Sequence, residues 1–579
     1  MLGSGVKILL ELIVYYLVVR FFLWVLKPVV GWSTFRHIPG PPSTSWWKGN
    51  LGQLFNAKGL PFHQNLVDCY GGMVKVHGFF GDEQLYVSDP RALQSIIAKD
   101  QDAYEETAVF IDWNRIIFGP GLVATTGDVH KRQRKLVTPV FSVTHLKALT
   151  PVFYEIAEKA RVLRCAQSVL PIAQLTRQQL TAVLENESNT RKESSGKGIL
   201  DMNEWVSRVA LESDPLDSPV NNPYTAAIKE LIPTLFSLAL VRQFAPFLSR
   251  IGTPPFRRQV VEWTPSRTVQ KLKYISDVMH NTARSILEER RRNIREEGDI
   301  SDSGRGAKDI ISILLRENER AAPEDKMSEN ELTGQMTVII FGAQDTTASL
   351  LSRALYLLAS DQVIQDKVRQ EIREAINEQG SPEQRLEYDA ISSLPWLDAV
   401  LKETLRLYPP VPFVRRTAVT ERTLLYSSRK TAETLDSDDS VASVTVPAGT
   451  TLFVGIAGAN RLESVWGPDA KEWKPERWLS NETTKTTDST RLPGIYAGTL
   501  SFLGGGRSCV GYKFALIEMK IILATLLLKL RFSRTDDDIV WNLSQIIAPS
   551  VRRSVEVEGQ QVVQEAKGLP LVVESIVDT

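Results

Sequence analysis

The stretch Phe502–Gly511 reads FLGGGRSCVG and contains the most specific pattern in the chain. It fits FxxGxRxCxG at every specified position, a match that average residue usage gives in about one of ten thousand chains of this length. Its glycines allow a tight turn that directs backbone N–H groups at the sulfur of Cys509. The helical pattern from Tyr512 to Leu530 places the positive end of a helix beside that sulfur. These features are typical of a cysteine that binds a metal as thiolate, rather than of a small buried hydrophobe.

Composition excludes several classes of protein. The chain has 579 residues, of which 43% are hydrophobic and 23% charged, as in ordinary globular proteins. Lys plus Arg equals Asp plus Glu at 68 each, so no charge excess points to a nucleic-acid partner. There are three cysteines and no CxxC pair, which argues against a disulfide framework or a cysteine-built zinc site.

The hydrophobic periodicity predicts a mainly α fold with small β-sheets. Helices are predicted over Lys271–Glu297, Glu329–Ala359, Gln362–Asn377 and Leu397–Tyr408. Short β signals occur at Met73–Val76, Gln84–Val87, Val444–Val446 and Thr451–Val454.

The N-terminus has the length and apolarity of a membrane anchor. Ile8–Leu26 is long enough to cross a bilayer, although Glu11 and Arg20 interrupt it, and an amphipathic surface helix is the alternative. Cations beyond this segment outnumber those before it, which favours a cytosolic body. We therefore predict an anchor over residues 1–30, a proline-rich connector over 31–50 and one catalytic domain over 51–579.

Two further motifs lie on predicted helices. KETLR, residues 402–406, contains ExxR, so that Glu403 and Arg406 share a helix face, and WKPERW, residues 473–478, supplies Arg477 as a third charged partner. GAQDTT, residues 342–347, puts an acid and a hydroxyl, Asp345 and Thr346, into an apolar helix, where polar groups are costly unless they serve a purpose. A threonine bonded back to its own helix is the alternative for Thr346.

Together, the cysteine loop, the ExxR helix and the GAQDTT segment resemble the cytochrome P-450 superfamily of haem-thiolate monooxygenases, and are closest to its fungal microsomal members. The resemblance implies the cytochrome P-450 fold and haem b, with the Cys509 thiolate as axial ligand. Around that ligand, Phe502 would shield the sulfur, Gly505 and Gly511 would shape the loop, and Arg507 would pair with a haem propionate. Glu403, Arg406 and Arg477 would have a structural role behind the loop.

Other implied site residues surround the cofactor. Asp345 and Thr346 resemble the oxygen-activation pair that delivers protons, although Ala343 stands where the family usually has Gly. Residues 127–135 resemble the WxxxR helix with His130 in place of Trp, so His130 and Arg134 would both reach propionates. Arg416 would be a further propionate ligand, with adjacent Arg415 as the alternative. For each of these cations, a solvated surface charge is the competing interpretation.

The implied function is insertion of one oxygen atom from O2 into a hydrophobic small molecule at the endoplasmic reticulum membrane. Electrons would come from NADPH–cytochrome P-450 reductase, with cytochrome b5 as a second candidate donor, because the chain has no flavin or nicotinamide fingerprint. Family position assigns the substrate pocket to residues 107–118, 337–341 and 411–414. These segments include Phe110, Trp113, Phe118 and Phe413, and the basic residues expected to steer the reductase are Lys131, Arg132, Lys135 and Lys513.

Two departures from the family leave alternatives open. Extra residues occupy the region 160–198, and Pro215 follows soon after Glu212, where the family continues a helix. A haem-thiolate isomerase or dehydratase, which needs no proton relay, is one rival function. A defective haem-binding pseudoenzyme is the other.

Overall fold

The computed structural model of the chain describes residues 15, 33–169, 197–209, 223–296, 310–381, 383–427, 441–479, 491–557 and 560–576. Apart from Tyr15, the predicted anchor lies outside these residues, as do residues 170–196 and the region after Glu212. Within the described ranges no single helix is long and apolar enough to cross a membrane. Two bent pairs of helices meet the same criteria of length and composition only when each pair is taken together.

The structure confirms the mainly α fold with small sheets. The α-helices of the described residues are α1 (Leu51–Leu54), α2 (Leu60–Tyr70), α3 (Pro90–Gln94), α4 (Ala108–Phe118), α5 (Gly127–Val137), α6 (Val143–Val169), α7 (Met202–Val209), α8 (Pro223–Ser237), α9 (Ala245–Leu248), α10 (Pro254–Trp263), α11 (Arg267–Glu296), α12 (Ile310–Arg320), α13 (Glu329–Ser360), α14 (Gln362–Gln379), α15 (Tyr388–Ser392), α16 (Pro395–Leu407), α17 (Ile456–Ala459), α18 (Glu463–Trp466) and α19 (Tyr512–Lys529).

The strands are short, and most lie in the last third of the chain. They are β1 (Met73–His77), β2 (Glu83–Val87), β3 (Tyr104–Glu106), β4 (Lys197–Asp201), β5 (Val414–Ala418), β6 (Arg422–Ser427), β7 (Val441–Val446), β8 (Thr451–Val454), β9 (Leu530–Arg534), β10 (Asp538–Ser544), β11 (Ile546–Val557), β12 (Gln560–Lys567) and β13 (Pro570–Ser575).

These elements form two compact units. The first contains the chain up to Thr107 together with Phe413–Ala459, and the second contains Ala108–Pro412 and the chain from Asn460 onward. In the first unit a five-stranded sheet has the order β1-β2-β8-β5-β3, beside the β6–β7 hairpin. In the second unit, helices pack around several apolar clusters, and two three-stranded sheets have the orders β10-β11-β12 and β4-β13-β9.

The longest helix of the described residues, α13, is positioned by its start and by a close contact with a loop. Ser328 and Glu331 form a reciprocal capping box that fixes where the helix begins. One turn further on, Gly334 packs so closely against the loop before α5 that a Cβ there would lie 2.9 Å from the backbone nitrogen of Gly121. Glycine therefore permits α13 to approach the segment that leads into α5.

Candidate functional site

The cysteine loop is a tight turn ahead of α19. Gly505 has a φ of 60°, a left-handed conformation that glycine adopts without steric cost. The backbone N–H of Cys509 donates to the carbonyl oxygen of Phe502 at 2.9 Å, which closes the loop. Gly511 is the N-cap of α19, so the unpaired N–H groups at the start of that helix lie next to Cys509.

Cys509 lies deep in the second unit, yet its side chain is accessible, so it borders an interior space. Burial raises the pKa of its thiol, while the backbone N–H of Gly511 and the charge of Arg134 act in the opposite direction. Both of these groups favour the thiolate. A metal ion would favour it further, because metal binding displaces the thiol proton.

Three of the predicted propionate ligands lie around this loop. Arg134 donates to the carbonyl oxygen of Ser508 at 2.7 Å and to the Ser508 hydroxyl at 2.9 Å. Arg507 donates to the carbonyl oxygen of Thr125 at 2.9 Å. Burial, followed by the charges of Arg507 and Arg134, lowers the pKa of His130 to about 3, so His130 is neutral at physiological pH. The structure therefore brings His130, Arg134 and Arg507 together at a strongly positive location beside Cys509, and this location suits an anionic cofactor edge.

Arg416 has a carboxylate partner within its own unit. It lies on β5 opposite Glu106 of β3, and its Nη1 is 2.8 Å from Oε1 of that residue. The adjacent Arg415 is 5.2 Å from the ring centroid of Phe55. Arg416 is thus a buried, ion-paired residue of the first unit.

The middle of α13 faces an accessible interior space. Residues 332–337 and 347–355 are buried, whereas residues 338–343, 345 and 346 between them are at least partly accessible. The Thr346 hydroxyl donates to the carbonyl oxygen of Gly342 at 2.9 Å, which is the back-bond considered as an alternative above. Because its proton is used in this bond, its oxygen is left as an acceptor. Burial raises the pKa of Asp345, so this carboxyl group keeps its proton to a higher pH than an exposed one.

Glu403 and Arg406 form a fully buried ion pair on α16. Arg406 donates from Nε and Nη2 to the two carboxylate oxygens of Glu403 at 2.8 and 2.7 Å. Arg477 is 3.4 Å from the same carboxylate. Two further donors to Glu403 were missed in the sequence, namely the indole N–H of Trp478 at 3.0 Å and the backbone N–H of Lys474 at 3.1 Å. The carboxylate is therefore fully paired, as a buried charge requires.

Sequence reasoning also missed a direct connection between α13 and α19. The Thr347 hydroxyl donates to Oε2 of Glu518 at 3.3 Å, and both residues are 2% exposed. No local pattern signals this pair, because its members are 171 positions apart. The bond joins the helix that carries Thr346 to the helix that follows Cys509.

The basic residues expected to steer an electron donor are partly engaged. Arg132 pairs with Glu331, and Lys135 Nζ lies 2.7 Å from Oδ2 of Asp325. Lys513 Nζ lies 5.9 Å from the ring centroid of Tyr512. The charge that Arg132 and Lys135 offer to a partner is therefore offset by neighbouring acids.

The predicted pocket aromatics lie in both units. In the second unit, Phe118 contacts Phe341 of α13 at a ring separation of 5.0 Å, and Trp113 packs against the same apolar cluster. In the first unit, Phe413 stacks on His63 at 4.5 Å. Phe413 is therefore part of the aromatic packing of its own unit, while Phe118 and Trp113 adjoin the middle of α13.

Comparisons with known proteins identify the family of this chain. The family model for cytochrome P450 matches residues 174–556. Cytochrome P450 monooxygenase 91 of Postia placenta is 39% identical over 92% of this chain and 95% of its own length. Cytochrome P450 monooxygenase 81 of the same fungus is 37% identical, over 93% and 94%. A ganoderic acid synthetase of Ganoderma lucidum is 34% identical, over 90% and 92%. The chain therefore belongs to the cytochrome P450 family, and it is a monooxygenase of the haem-thiolate type.

Proposed function

We propose that Cys509 is the axial thiolate ligand of haem b, and that the enzyme inserts one atom of O2 into a hydrophobic organic substrate. Two electrons from an NADPH-dependent reductase and two protons reduce the second oxygen atom to water. The observation that carries this proposal is the environment of Cys509. An accessible sulfur deep in the protein is joined by the Gly511 N–H, the start of α19 and the charge of Arg134.

When bound, the haem supplies dioxygen activation, because a thiolate ligand favours O–O cleavage. The residues of the chain hold the group. Arg134, Arg507 and His130 surround the loop with hydrogen-bond donors suited to propionates, and Phe502 and Gly505 shape it. The buried Glu403–Arg406–Arg477 cluster fixes the region behind the loop, since breaking such a pair strands a buried charge. We further propose that Arg416 serves a propionate in exchange for part of its pairing with Glu106.

Asp345 and Thr346, on α13, would hold and transfer protons. The raised pKa of Asp345 lets this carboxyl group keep its proton to a higher pH than an exposed carboxyl group and give it up to a neighbouring water. With its own proton bonded to Gly342, the Thr346 oxygen accepts a hydrogen bond and can orient that water. The accessible, apolar stretch of α13 before this pair, residues 338–343, suits a hydrophobic substrate.

The proposed cellular setting rests on the N-terminal sequence. We propose a single anchor over residues 1–30, a connector over residues 31–50, and a catalytic domain over residues 51–579 on the cytosolic side of the endoplasmic reticulum. The electron donor would be NADPH–cytochrome P450 reductase, with cytochrome b5 as an additional donor. The name of the Ganoderma relative supports a role in making an organic natural product.

The first test is the carbon monoxide difference spectrum of the purified, reduced protein. A strongly red-shifted Soret band is expected, because that band requires a thiolate ligand. Cys509→Ser should abolish the band, whereas Cys69→Ser, which changes the other exposed cysteine of the described residues, should leave it unchanged. A red-shifted band that survives in Cys509→Ser would refute the assignment of the ligand.

A further inference from the structure

A stack of arginines and aromatic rings lies along the last half of α13, entirely within the second unit. The guanidinium carbon of Arg353 lies 3.3 Å from the ring centroid of Trp541 and 4.2 Å from that of Tyr408. On one side of Arg353, the guanidinium carbon of Arg461 lies 5.3 Å from the ring centroid of Tyr408. On the other side, Trp541 of β10 contacts the ring of Tyr356 edge to face. The guanidinium carbon of Arg534 lies 4.8 Å from the ring centroid of Tyr356. We call this set the arginine–aromatic stack: Arg461, Tyr408, Arg353, Trp541, Tyr356 and Arg534.

Arg353, at the centre of the stack, is a buried cation without an acid. It is 8% exposed, its Nε is buried without a hydrogen-bond partner, and no acidic residue among those that the structure describes forms an ion pair with it. Burial lowers its pKa to about 9, and the other groups that act on it are Tyr408, Arg461 and Tyr356. Arg353 therefore stays protonated at neutral pH, although no carboxylate within the described part of the chain pairs with it.

The other buried arginines of the described residues are different. Arg406 pairs with Glu403, and Arg416 pairs with Glu106. Arg369 pairs with Asp366 and also donates to the carbonyl oxygens of Leu527 and Leu530. Buried charges are normally paired in this way, because an unpaired one keeps its full desolvation cost. Among the buried arginines of the described residues, Arg353 is therefore the one whose charge no described acid balances, and its guanidinium is suited to an anionic ligand.

The geometry of the stack also selects the shape of that partner. The rings of Tyr408 and Trp541 lie against the guanidinium of Arg353, and a cation–π contact holds the ion over the ring face. The N–H donors of a guanidinium project from its edge, where two parallel bonds fit a carboxylate. Because the rings restrict the orientation of its plane, the fork is pre-organised for such a ligand.

We propose that the edge of Arg353 binds the carboxylate of a small organic acid. Arg353 lies seven residues after Thr346, on the same face of α13 and about 10 Å further along its axis. Between them, the Ser349 hydroxyl donates to the carbonyl oxygen of Ile547 at 2.5 Å, so the start of β11 covers this face at Ser349. Two kinds of molecule can supply the carboxylate: the substrate of the monooxygenase reaction, if it extends past β11, or a separate free acid. The first source rests on the proposed monooxygenase function, whereas the second does not.

Two arms of one experiment distinguish these sources. The first arm measures binding of dodecanoate and of dodecan-1-ol, which share a chain and differ in charge, by the substrate-induced Soret shift of the haem protein. If the substrate supplies the carboxylate, dodecanoate should bind at least about tenfold more tightly, equivalent to about 1.4 kcal/mol. Arg353→Met should remove this preference, and Arg353→Lys, which keeps the charge but lacks the fork, should retain part of it. Arg534→Met, at the outer end of the stack, should not change it.

The second arm measures thermal stability in acetate against chloride at equal ionic strength, and it needs no haem spectrum. If the source is a free acid, acetate should stabilise the wild-type protein and Arg534→Met, but not Arg353→Met. A wild-type protein that shows neither a preference for dodecanoate nor stabilisation by acetate overturns the proposal, even if Arg353→Met fails to fold. Absence of any Soret band would instead count against the proposed function, and the acetate arm would still decide the status of Arg353.

Discussion

Arg134 holds Ser508, the residue directly before Cys509, by two hydrogen bonds, of 2.7 Å to its carbonyl oxygen and 2.9 Å to its hydroxyl. The helix α5 is thereby fixed to the cysteine loop through one guanidinium. Its charge is also among the groups that act on the pKa of Cys509. The same side chain thus has three functions in the proposed site: it shapes the loop, favours the thiolate and faces a propionate.

Replacing Arg134 by Lys should weaken haem retention and reduce the red-shifted Soret band that reports thiolate ligation. Lysine keeps the charge but loses the fork that bonds Ser508 twice, and hydrogen bonds from charged groups are each worth about 1.5–3 kcal/mol. We expect haem dissociation at least about tenfold faster, together with a fraction of the Soret band at shorter wavelength. Lys135→Met is the matched control, since Lys135 lies on the same helix with a side chain that is 71% exposed. Equal haem loss in both variants would contradict the role of Arg134.

The buried ExxR pair should be far more sensitive to substitution than its surface counterpart. Glu403→Gln leaves the fully buried charge of Arg406 unpaired, which typically costs about 3–5 kcal/mol. We expect little folded holoprotein, or a melting temperature lower by at least several degrees.

The chain contains its own control for this prediction. Glu288 and Arg291 have the same ExxR spacing on α11, where Glu288 pairs with Arg284 at the surface and Arg291 pairs with Glu329. Exposed ion pairs contribute about 0–1 kcal/mol, so Glu288→Gln should leave thermal unfolding nearly unchanged. Similar destabilisation in both variants would mean that the burial of Glu403 does not cause the loss of stability in Glu403→Gln.

Replacing Thr346 by Ala should uncouple electron use from product formation. Without the hydroxyl oxygen, the water that delivers protons loses its orienting acceptor, so NADPH consumption should continue while hydrogen peroxide replaces organic product. Thr333→Ala is the control, because Thr333 makes the same kind of back-bond on α13, to the carbonyl oxygen of Glu329. An isomerase or dehydratase would barely respond to loss of Thr346. Unchanged coupling would therefore argue against the proton role and in favour of that rival function.

Local signals in the sequence predicted the elements that position the site. The helix predicted over Glu329–Ala359 is observed as Glu329–Ser360, because the capping box of Ser328 and Glu331 fixes its start by contacts within four residues. Helix α14 extends to Gln379 and ends at Gly380, whose left-handed conformation terminates it. The predicted strand Thr451–Val454 has the same bounds in the structure.

Long-range pairing was not predictable in this way. The strands β10–β13 carry no clear alternation that distinguishes them from loops, and they exist because they pair with one another or with distant strands. Likewise, the bond from Arg507 to Thr125 joins residues 382 positions apart, and the Thr347–Glu518 contact spans 171 positions. Motif spacing predicted the candidate site residues, whereas the partners of these residues depend on the tertiary fold.

Replacing Asp345 by Asn should stabilise the protein at neutral pH while impairing proton delivery. Burial raises the pKa of Asp345 in the folded state. Between its ordinary value and this raised value, the folded protein binds more protons than the unfolded chain, so stability falls as pH rises. Asn carries no charge and avoids this loss. We expect a gain of about 1 kcal/mol in the free energy of unfolding at pH 7, because the desolvation cost of the Asp345 charge outweighs the favourable charge of Lys567.

The sign of this effect sets the decisive comparison. Below the ordinary carboxyl pKa of about 4, Asp345 is protonated in both states, so the stabilities of Asp345→Asn and the wild type should converge as pH falls. Asp389→Asn serves as the control, because the side chain of Asp389 is 75% exposed. Urea unfolding at several pH values measures all three proteins, and peroxide release measures coupling in parallel. If Asp345→Asn is no more stable than the wild type at pH 7, the Asp345 carboxylate of the wild type is solvated or paired. The raised pKa that the proposed role of Asp345 requires would then be refuted.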